Sequence, residues 1–181
     1  MEGIAGRNQL SATIEQVIAK KNRGNMLDLN KIQWGNGAIT KKDWDILRDF
    51  IKKHNIKSII EYGYGVSTTL FYETVRNVTT YESHKGYFKQ GKINGFKIIL
   101  WNADGYLPEQ HADFVFIDGP AGGINREWSF KNAARQGRFI AVHDASRPAE
   151  KLWIEKHLND FTMIMGGHLS MFEKGASDAY R

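Results

Sequence analysis

Apolar positions set the reading frame of this chain. Leu10, Ile14, Val17 and Ile18 recur at helical spacing, which predicts an amphipathic helix over residues 10–21 that stops at Asn22-Arg23-Gly24-Asn25. A loop around Trp34 follows. Thr40 with Asp43 three positions on then gives a capping-box start to a second helix, striped by Trp44, Leu47 and Ile51 and ended at Asn55. From there short apolar runs alternate with helix-like stretches. Strands are predicted over 58–62, 78–82, 96–101, 113–118 and 139–143, and helices over about 67–76, 125–135 and 148–158. Two last apolar runs, 161–165 and 168–172, flank Gly166-Gly167 and read as a hairpin. Strands that alternate with helices imply a mostly parallel sheet covered on both faces, and the closing hairpin requires one strand to run against the others.

Composition narrows the chemistry. The chain has 181 residues, 41% of them apolar, 12% aromatic and 25% charged, the balance of one folded domain of ordinary size. The absence of cysteine excludes disulfides, a thiolate zinc site and a cysteine nucleophile. No apolar run reaches the ~20 residues of a membrane span, and the N-terminus lacks the layout of a secretory signal, so a soluble cytoplasmic protein with no membrane partner is expected. The net charge of +5 is concentrated at the start: residues 1–60 hold 11 Lys/Arg against 6 Asp/Glu, and the remainder hold 14 of each. Lysine pairs of this kind are read as solvated helix faces rather than as a polyanion contact.

In an open α/β sheet a ligand sits beyond the carboxyl ends of the strands. Acids gather there: Glu61 closes the first strand region, Glu82 the second, Asp104 follows the third, Asp118 the fourth and His143-Asp144 the fifth. Their mutual repulsion calls for something bound among them. In Glu61-Tyr62-Gly63-Tyr64-Gly65-Val66-Ser67-Thr68 the glycines remove side chains where a ligand would approach the main chain. Ser67 is expected to cap a helix whose first amides favour an anionic group. Glu82, followed by Ser83, stands where a carboxylate accepts from ribose hydroxyls, and Asp104-Gly105 where an adenine amino group would fall. The third glycine of the dinucleotide pattern is replaced by Thr68, which fits an NAD-dependent dehydrogenase poorly.

These residues resemble the class I S-adenosylmethionine-dependent methyltransferases. The Glu-x-Gly-x-Gly-x-Ser-Thr stretch and the acids after the second and third strands carry that likeness over residues 38–173. Ile117-Asp118-Gly119-Pro120, His143-Asp144, Arg126 and Arg147 are similar to small-molecule and sugar O-methyltransferases, the glucuronic-acid 4-O-methyltransferases among them. The resemblance implies a Rossmann-like three-layer sandwich with a seven-stranded sheet of order 3-2-1-4-5-7-6 and strand 7 antiparallel. It implies S-adenosylmethionine as cofactor, with Gly63, Tyr64 and Gly65 at the methionine end, Glu82 at the ribose and Asp104 near the adenine. Tyr64 departs from the small residue usual in such loops.

Residues 1–37 would form a cap over the acceptor and residues 38–181 the catalytic domain. The acceptor is expected to be a small molecule or a saccharide. Because little chain lies outside the core, a homo-oligomer could complete its site. A hydroxyl acceptor needs a base or a metal. His143 suits the first role, with an ordinary pKa of ~6.5, and Asp118, His143 and Asp144 together suit a divalent cation. Arg126 and Arg147 are read as surface salt bridges, and His54, His84, His111, His157 and His168 have no metal-ligand spacing. A nucleic-acid methyltransferase is a rival, but base-modifying members carry Asn/Asp-Pro-Pro and an aromatic where this chain has Asp118-Gly119-Pro120-Ala121. A non-catalytic binder of the nucleoside is the other.

Overall fold

A computed structural model describes residues 32, 34–35, 39–120 and 125–175. The helix expected over 10–21 lies outside them. The described chain runs α1 (Lys41–Lys53), β1 (Ser58–Tyr62), α2 (Val66–Thr74), β2 (Asn77–Glu82), α3 (Lys85–Ile93), β3 (Ile98–Leu100), β4 (Ala112–Ile117), α4 (Glu127–Gln136), β5 (Gly137–Val142), α5 (Pro148–His157), β6 (Phe161–Met165) and β7 (Ser170–Lys174). The seven strands form one sheet in the order β3-β2-β1-β4-β5-β7-β6, parallel except for β7, which pairs antiparallel with both β5 and β6. The expected topology is present.

Strand parity separates two cores. Ile59, Phe114, Phe116, Phe139 and Ala141 face α1 and α2, where they meet Trp44, Leu47, Ile51, Leu70 and Phe71. The intervening residues Ile60, Tyr62, Val115, Ile117, Ile140 and Val142 face the other way, onto Phe130 and Ala133 of α4 and toward α5. Central strands are buried on both faces, which is why they read as unbroken apolar runs. Helix α1 begins as expected: Asp43 N–H donates to Thr40 Oγ1, and the Asp43 carboxylate accepts from the Thr40 amide at 3.0 Å. Half-buried Trp34 packs against the α1–α2 core.

Helix α3 has no counterpart in the pattern of apolar positions. Its sequence KGYFKQGKI holds two glycines, and Gly91 is its one fully buried position. Both glycines serve packing: a Cβ on Gly86 would fall 2.9 Å from the His84 ring, and one on Gly91 2.7 Å from Ile98 Cδ1. His84 caps the helix by accepting from Tyr87 N–H through Nδ1. Strand β3 is shorter than the 96–101 run because it is an edge strand, with Ile98 buried and Ile99 and Leu100 exposed.

Strand register lines up the candidate chemistry. Tyr62 of β1 lies beside Tyr81 of β2 and Ile117 of β4, and Ile117 lies beside Val142 of β5. The next residues, Gly63, Glu82, Asp118 and His143, therefore form one row along the sheet's upper rim. The ladder continues into that row: Gly63 N–H donates to Tyr81 O, Asp118 N–H to Tyr62 O and His143 N–H to Ile117 O, at 2.9, 3.0 and 3.0 Å. Gly63 and Gly119 are in backbone contact, since a Cβ on Gly119 would fall 2.5 Å from Gly63 Cα. Gly119→Ala is expected to lower unfolding stability by about 1–3 kcal/mol, the cost of overpacking against main chain that has no room to yield. Chemical denaturation measures it, and an unchanged midpoint would contradict the contact.

Candidate functional site

The loop from Gly63 to Gly65 is anchored from below. Glu61 is fully buried on the α2 side of the sheet, where its carboxylate accepts from Ser67 Oγ at 2.5 Å, Thr68 Oγ1 at 2.7 Å and Thr80 Oγ1 at 2.9 Å. Glu61 and Ser67, both expected to contact a ligand, are bonded to each other. Ser67 sits inside the first turn with its hydroxyl turned inward, so it is not the cap. The N-cap is Gly65, whose amide donates to Thr68 Oγ1 at 3.0 Å. A helix capped by glycine has no side chain closing its end, which leaves its first amides available to an anion. Nothing lies within 4 Å of a Cβ built on Gly65, so the approach there is open.

Glu82 holds the same loop from the side. It is buried, one oxygen accepting from Tyr64 N–H at 2.8 Å and the other from His84 N–H at 2.6 Å. Neither bond is to Lys85. Each carboxylate oxygen keeps a free lone pair, and the adjacent Ser83 Oγ is buried without a hydrogen-bond partner. An orphaned hydroxyl beside a fixed carboxylate at the end of β2 fits a diol such as a ribose. The Tyr64 side chain turns away from the rim. It packs with Phe96 and Ile98, and its hydroxyl accepts from Asn94 Nδ2 at 3.0 Å, so the large residue in the loop serves the α3–β3 corner. Asp104 is exposed. Its carbonyl accepts from Trp101 Nε1 at 3.0 Å, and the carbonyl of Gly105 (φ +73°) accepts from Asn132 Nδ2 at 3.1 Å.

At the other end of the row four carboxylates converge. His143 Nδ1 is 3.0 Å from Asp118 Oδ1, and its Nε2 lies 3.7 Å from Asp43 Oδ2. Asp144 has a left-handed backbone (φ +61°), uncommon outside glycine but tolerated by Asp, and this turn brings its carboxylate back to the cluster. Arg126 lies among the acids, 3.9 Å from Asp118, 3.8 Å from Asp144 and 3.3 Å from Glu150, with its Nε donating to Pro120 O. The surface role expected for Arg126 is corrected: at 8% exposure it is a buried counter-charge. Arg147 is on the surface as expected, bridging to Asp144 at 2.8 Å. Burial alone would lower the His143 pKa, but the Asp118 hydrogen bond and the charges of Asp118, Asp144 and Asp43 outweigh it, so the pKa is raised.

Asp118, His143 and Asp144 do meet, with ligand atoms within 4.8 Å of one another. They fit a metal poorly at that spot. The His143 Nδ1 is engaged by Asp118, and Arg126 and Arg147 already offset both carboxylates. Two residues with no expected site role join the cluster: Asp43, known from its spacing only as a helix-capping acid, and His168 of the β6–β7 turn, whose Nε2 is 3.4 Å from Asp144 Oδ1. The β-parity of Ala141 and His143 is the available signal for Asp43, because it points His143 at α1. Nothing in the local sequence marks His168. Trp128 is half-buried, with Lys131 over its ring and Tyr106 at its edge, away from the acids.

This sheet, with its glycine loop and acid-lined rim, has the fold of the class I S-adenosylmethionine-dependent methyltransferases. Several solved structures share it. A candidate caffeoyl-CoA O-methyltransferase from Staphylococcus aureus superposes with TM-score 0.60 at 15% identity, over 91% of this chain and 100% of that one. An O-methyltransferase from Bacillus cereus in complex with S-adenosylhomocysteine gives 0.55 at 14%, over 90% and 91%. The Thermus thermophilus 16S rRNA N2 G1207 methyltransferase in complex with S-adenosylmethionine and guanosine gives 0.50 at 16%, over 72% of this chain and 41% of that one. No protein-family model and no curated protein matches the sequence. No helix among the described residues is long and apolar enough to cross a membrane.

Glu61 yields a pH prediction. Desolvation, only partly offset by its three hydroxyl donors, pushes its pKa from 4.5 up to about 8. The folded chain thus keeps a proton that the unfolded chain releases, so this group's contribution to stability is complete below about pH 4.5 and is lost as pH rises through about 8. Glu61→Gln, which carries no titrating group, is expected to lose that component. Thermal melts of both proteins from pH 5 to 8 should show the wild type falling more steeply than the variant, and parallel curves would refute the shift.

Proposed function

We propose that the chain is an S-adenosylmethionine-dependent methyltransferase that methylates a hydroxyl oxygen of a small molecule or saccharide. The observation that carries this reading is the single row of Gly63, Glu82, Asp118 and His143 along the rim, with an open approach over Gly65. When bound, the cofactor supplies an electrophilic methyl group on a sulfonium. Glu82 and Ser83 would receive its ribose hydroxyls, and the Gly65-capped start of α2 its carboxylate. Asp104 and Gly105 would lie toward the adenine. That the bound molecules of comparable folds are S-adenosylmethionine or its demethylated product supports this choice over a dinucleotide.

Methyl transfer is an in-line displacement, so the chain's task is to orient the acceptor and receive its proton. Asp118 suits that task. Its side chain is 18% exposed while that of His143 behind it is 5% exposed, so the carboxylate is the member of the pair that an acceptor can reach. The hydroxyl proton passes to Asp118, and the imidazole at 3.0 Å holds the carboxylate in place. Arg147, 2.8 Å from Asp144, holds that neighbouring carboxylate to one side of the pair.

Two measurements test this. Calorimetry is expected to show binding of S-adenosylmethionine and of S-adenosylhomocysteine but not of NAD, and Gly65→Arg should abolish it without unfolding the protein, because the added side chain points into free space. NAD binding in place of the other two would overturn the assignment. Asp118→Asn should lower turnover of a hydroxylated acceptor by about 10²–10⁴-fold, the usual worth of a positioned base, with nucleoside affinity changed only a few-fold. A variant with wild-type turnover would remove Asp118 from the reaction.

A further inference from the structure

His143 has two ring nitrogens with different fates. Nδ1 is fixed on Asp118, whereas Nε2 is buried, has no hydrogen-bond partner, and points toward the start of α1. The residue is 4% exposed, so no solvent makes good the missing bond. Asp43, buried at the first turn of α1, faces that nitrogen, and His168, half-exposed in the turn before β7, packs its ring against the His143 ring while its Nε2 lies 3.4 Å from Asp144. The three ligand atoms lie within 4.8 Å of one another. The two imidazole rings meet edge to face at 4.7 Å between centroids. Three elements distant in sequence thus bring two imidazoles and one carboxylate to a common point.

We propose that Asp43, His143 Nε2 and His168 form a site for a divalent transition-metal ion of the zinc class. Ligands 2.0–2.1 Å from a tetrahedral ion stand about 3.3–3.5 Å apart, and the Nε2–Oδ2 separation of 3.7 Å is close to that without rearrangement. The donor set, two nitrogens and one carboxylate oxygen, suits zinc, cobalt or nickel rather than magnesium or calcium. Asp118 completes the arrangement from behind. A metal-bound histidine characteristically donates its other N–H to a carboxylate, which fixes the tautomer and raises the basicity of the ligating nitrogen. Asp43 Oδ2 accepts from the Thr40 amide and hydroxyl at 3.0 and 2.6 Å, which orients the carboxylate in the same way. The exposed side of His168 leaves the ion's remaining position open to water. This cation site differs from the Asp118–His143–Asp144 grouping in using the opposite ring nitrogen, and an ion there would draw His168 away from Asp144 Oδ1, which lies 3.4 Å from its Nε2.

The site ties α1 to the rim, because the ion would bridge the α1 start, the end of β5 and the β6–β7 turn. It would also hold His143 in the tautomer that donates to Asp118.

The test needs no nucleoside, so it succeeds or fails separately from the methyl-transfer reading. Full-length, tag-free protein stripped with EDTA is titrated with Co²⁺ alone and followed by its visible d–d absorption. One equivalent is expected to saturate a tetrahedral or five-coordinate spectrum. His168→Ala removes an exposed side chain and should leave the melting curve intact while weakening Co²⁺ by about tenfold or more. Asp43→Asn retains an oxygen for the Thr40 cap and should weaken it similarly, whereas Asp144→Asn should not. Absence of a saturable spectrum would overturn the site. Binding that survives His168→Ala but is lost in Asp144→Asn would equally overturn it.

Discussion

The main-chain contact between Gly63 and Gly119 is the constraint on which the site depends. Strands β1 and β4 lie side by side, yet the chain leaves β1 toward β2 on one side and leaves β4 toward β5 on the other. Loops that diverge from adjacent strands open a crevice at the point where the strand order reverses. The two loops can start level only if their first residues pass within van der Waals reach, and a Cβ on either glycine would meet the other's backbone at 2.9 Å or less. That close passage sets Asp118 beside the loop of Gly63 and Gly65.

Charge at the rim is handled in two ways. Glu61 is withdrawn from the crevice altogether and spends its oxygens on hydroxyls of α2 and β2. It therefore works as an anchor that ties the strand end to the helix start, and its neutral form is the one the interior favours. Glu82 is held differently, with its two oxygens accepting from two backbone amides. The acids on the other half of the row meet arginine instead. Arg126 is the shared partner there, close to three carboxylates at once from a place with almost no solvent. Breaking such a buried arrangement by removing one member leaves the others uncompensated, so these residues act as a unit.

Much of this is legible in the sequence alone. A mostly parallel sheet, one reversed strand in the closing hairpin and the gathering of Glu82, Asp118, His143 and Asp144 at one rim follow from apolar runs and from the acids that end them, whereas the strand order follows only from the family resemblance. Roles are harder to read than positions. Ser67 sits at a helix start and so looks like a cap, but a fully buried Glu61 two positions before Gly63 competes for its hydroxyl at 2.5 Å and wins. Tyr64 lies in the loop but belongs to the packing of β3 and α3. Helix α3 leaves no pattern because its glycines are selected by contact with Ile98 and His84, not by helix propensity. Arg126 reads as exposed because one residue before a helix is usually outside, and burial there is decided by three acids from separate stretches of chain.

The least legible feature is also the one with the most chemistry in it. Asp43 and His168 are 125 positions apart in sequence, and each has a sufficient local explanation, a capping acid and a turn residue. Only the sheet brings them together, because β7 runs antiparallel beside β5 and so starts at the rim where β5 ends. His168 precedes β7 by two residues and His143 follows β5 by one, which makes their meeting a consequence of register. Asp43 arrives because α1 packs on the face that His143 shares with Ala141 and Phe139. A parallel seventh strand would carry its leading turn to the opposite end of the sheet and leave His143 among carboxylates only. The reversed hairpin is what supplies a second imidazole to the acid-lined rim.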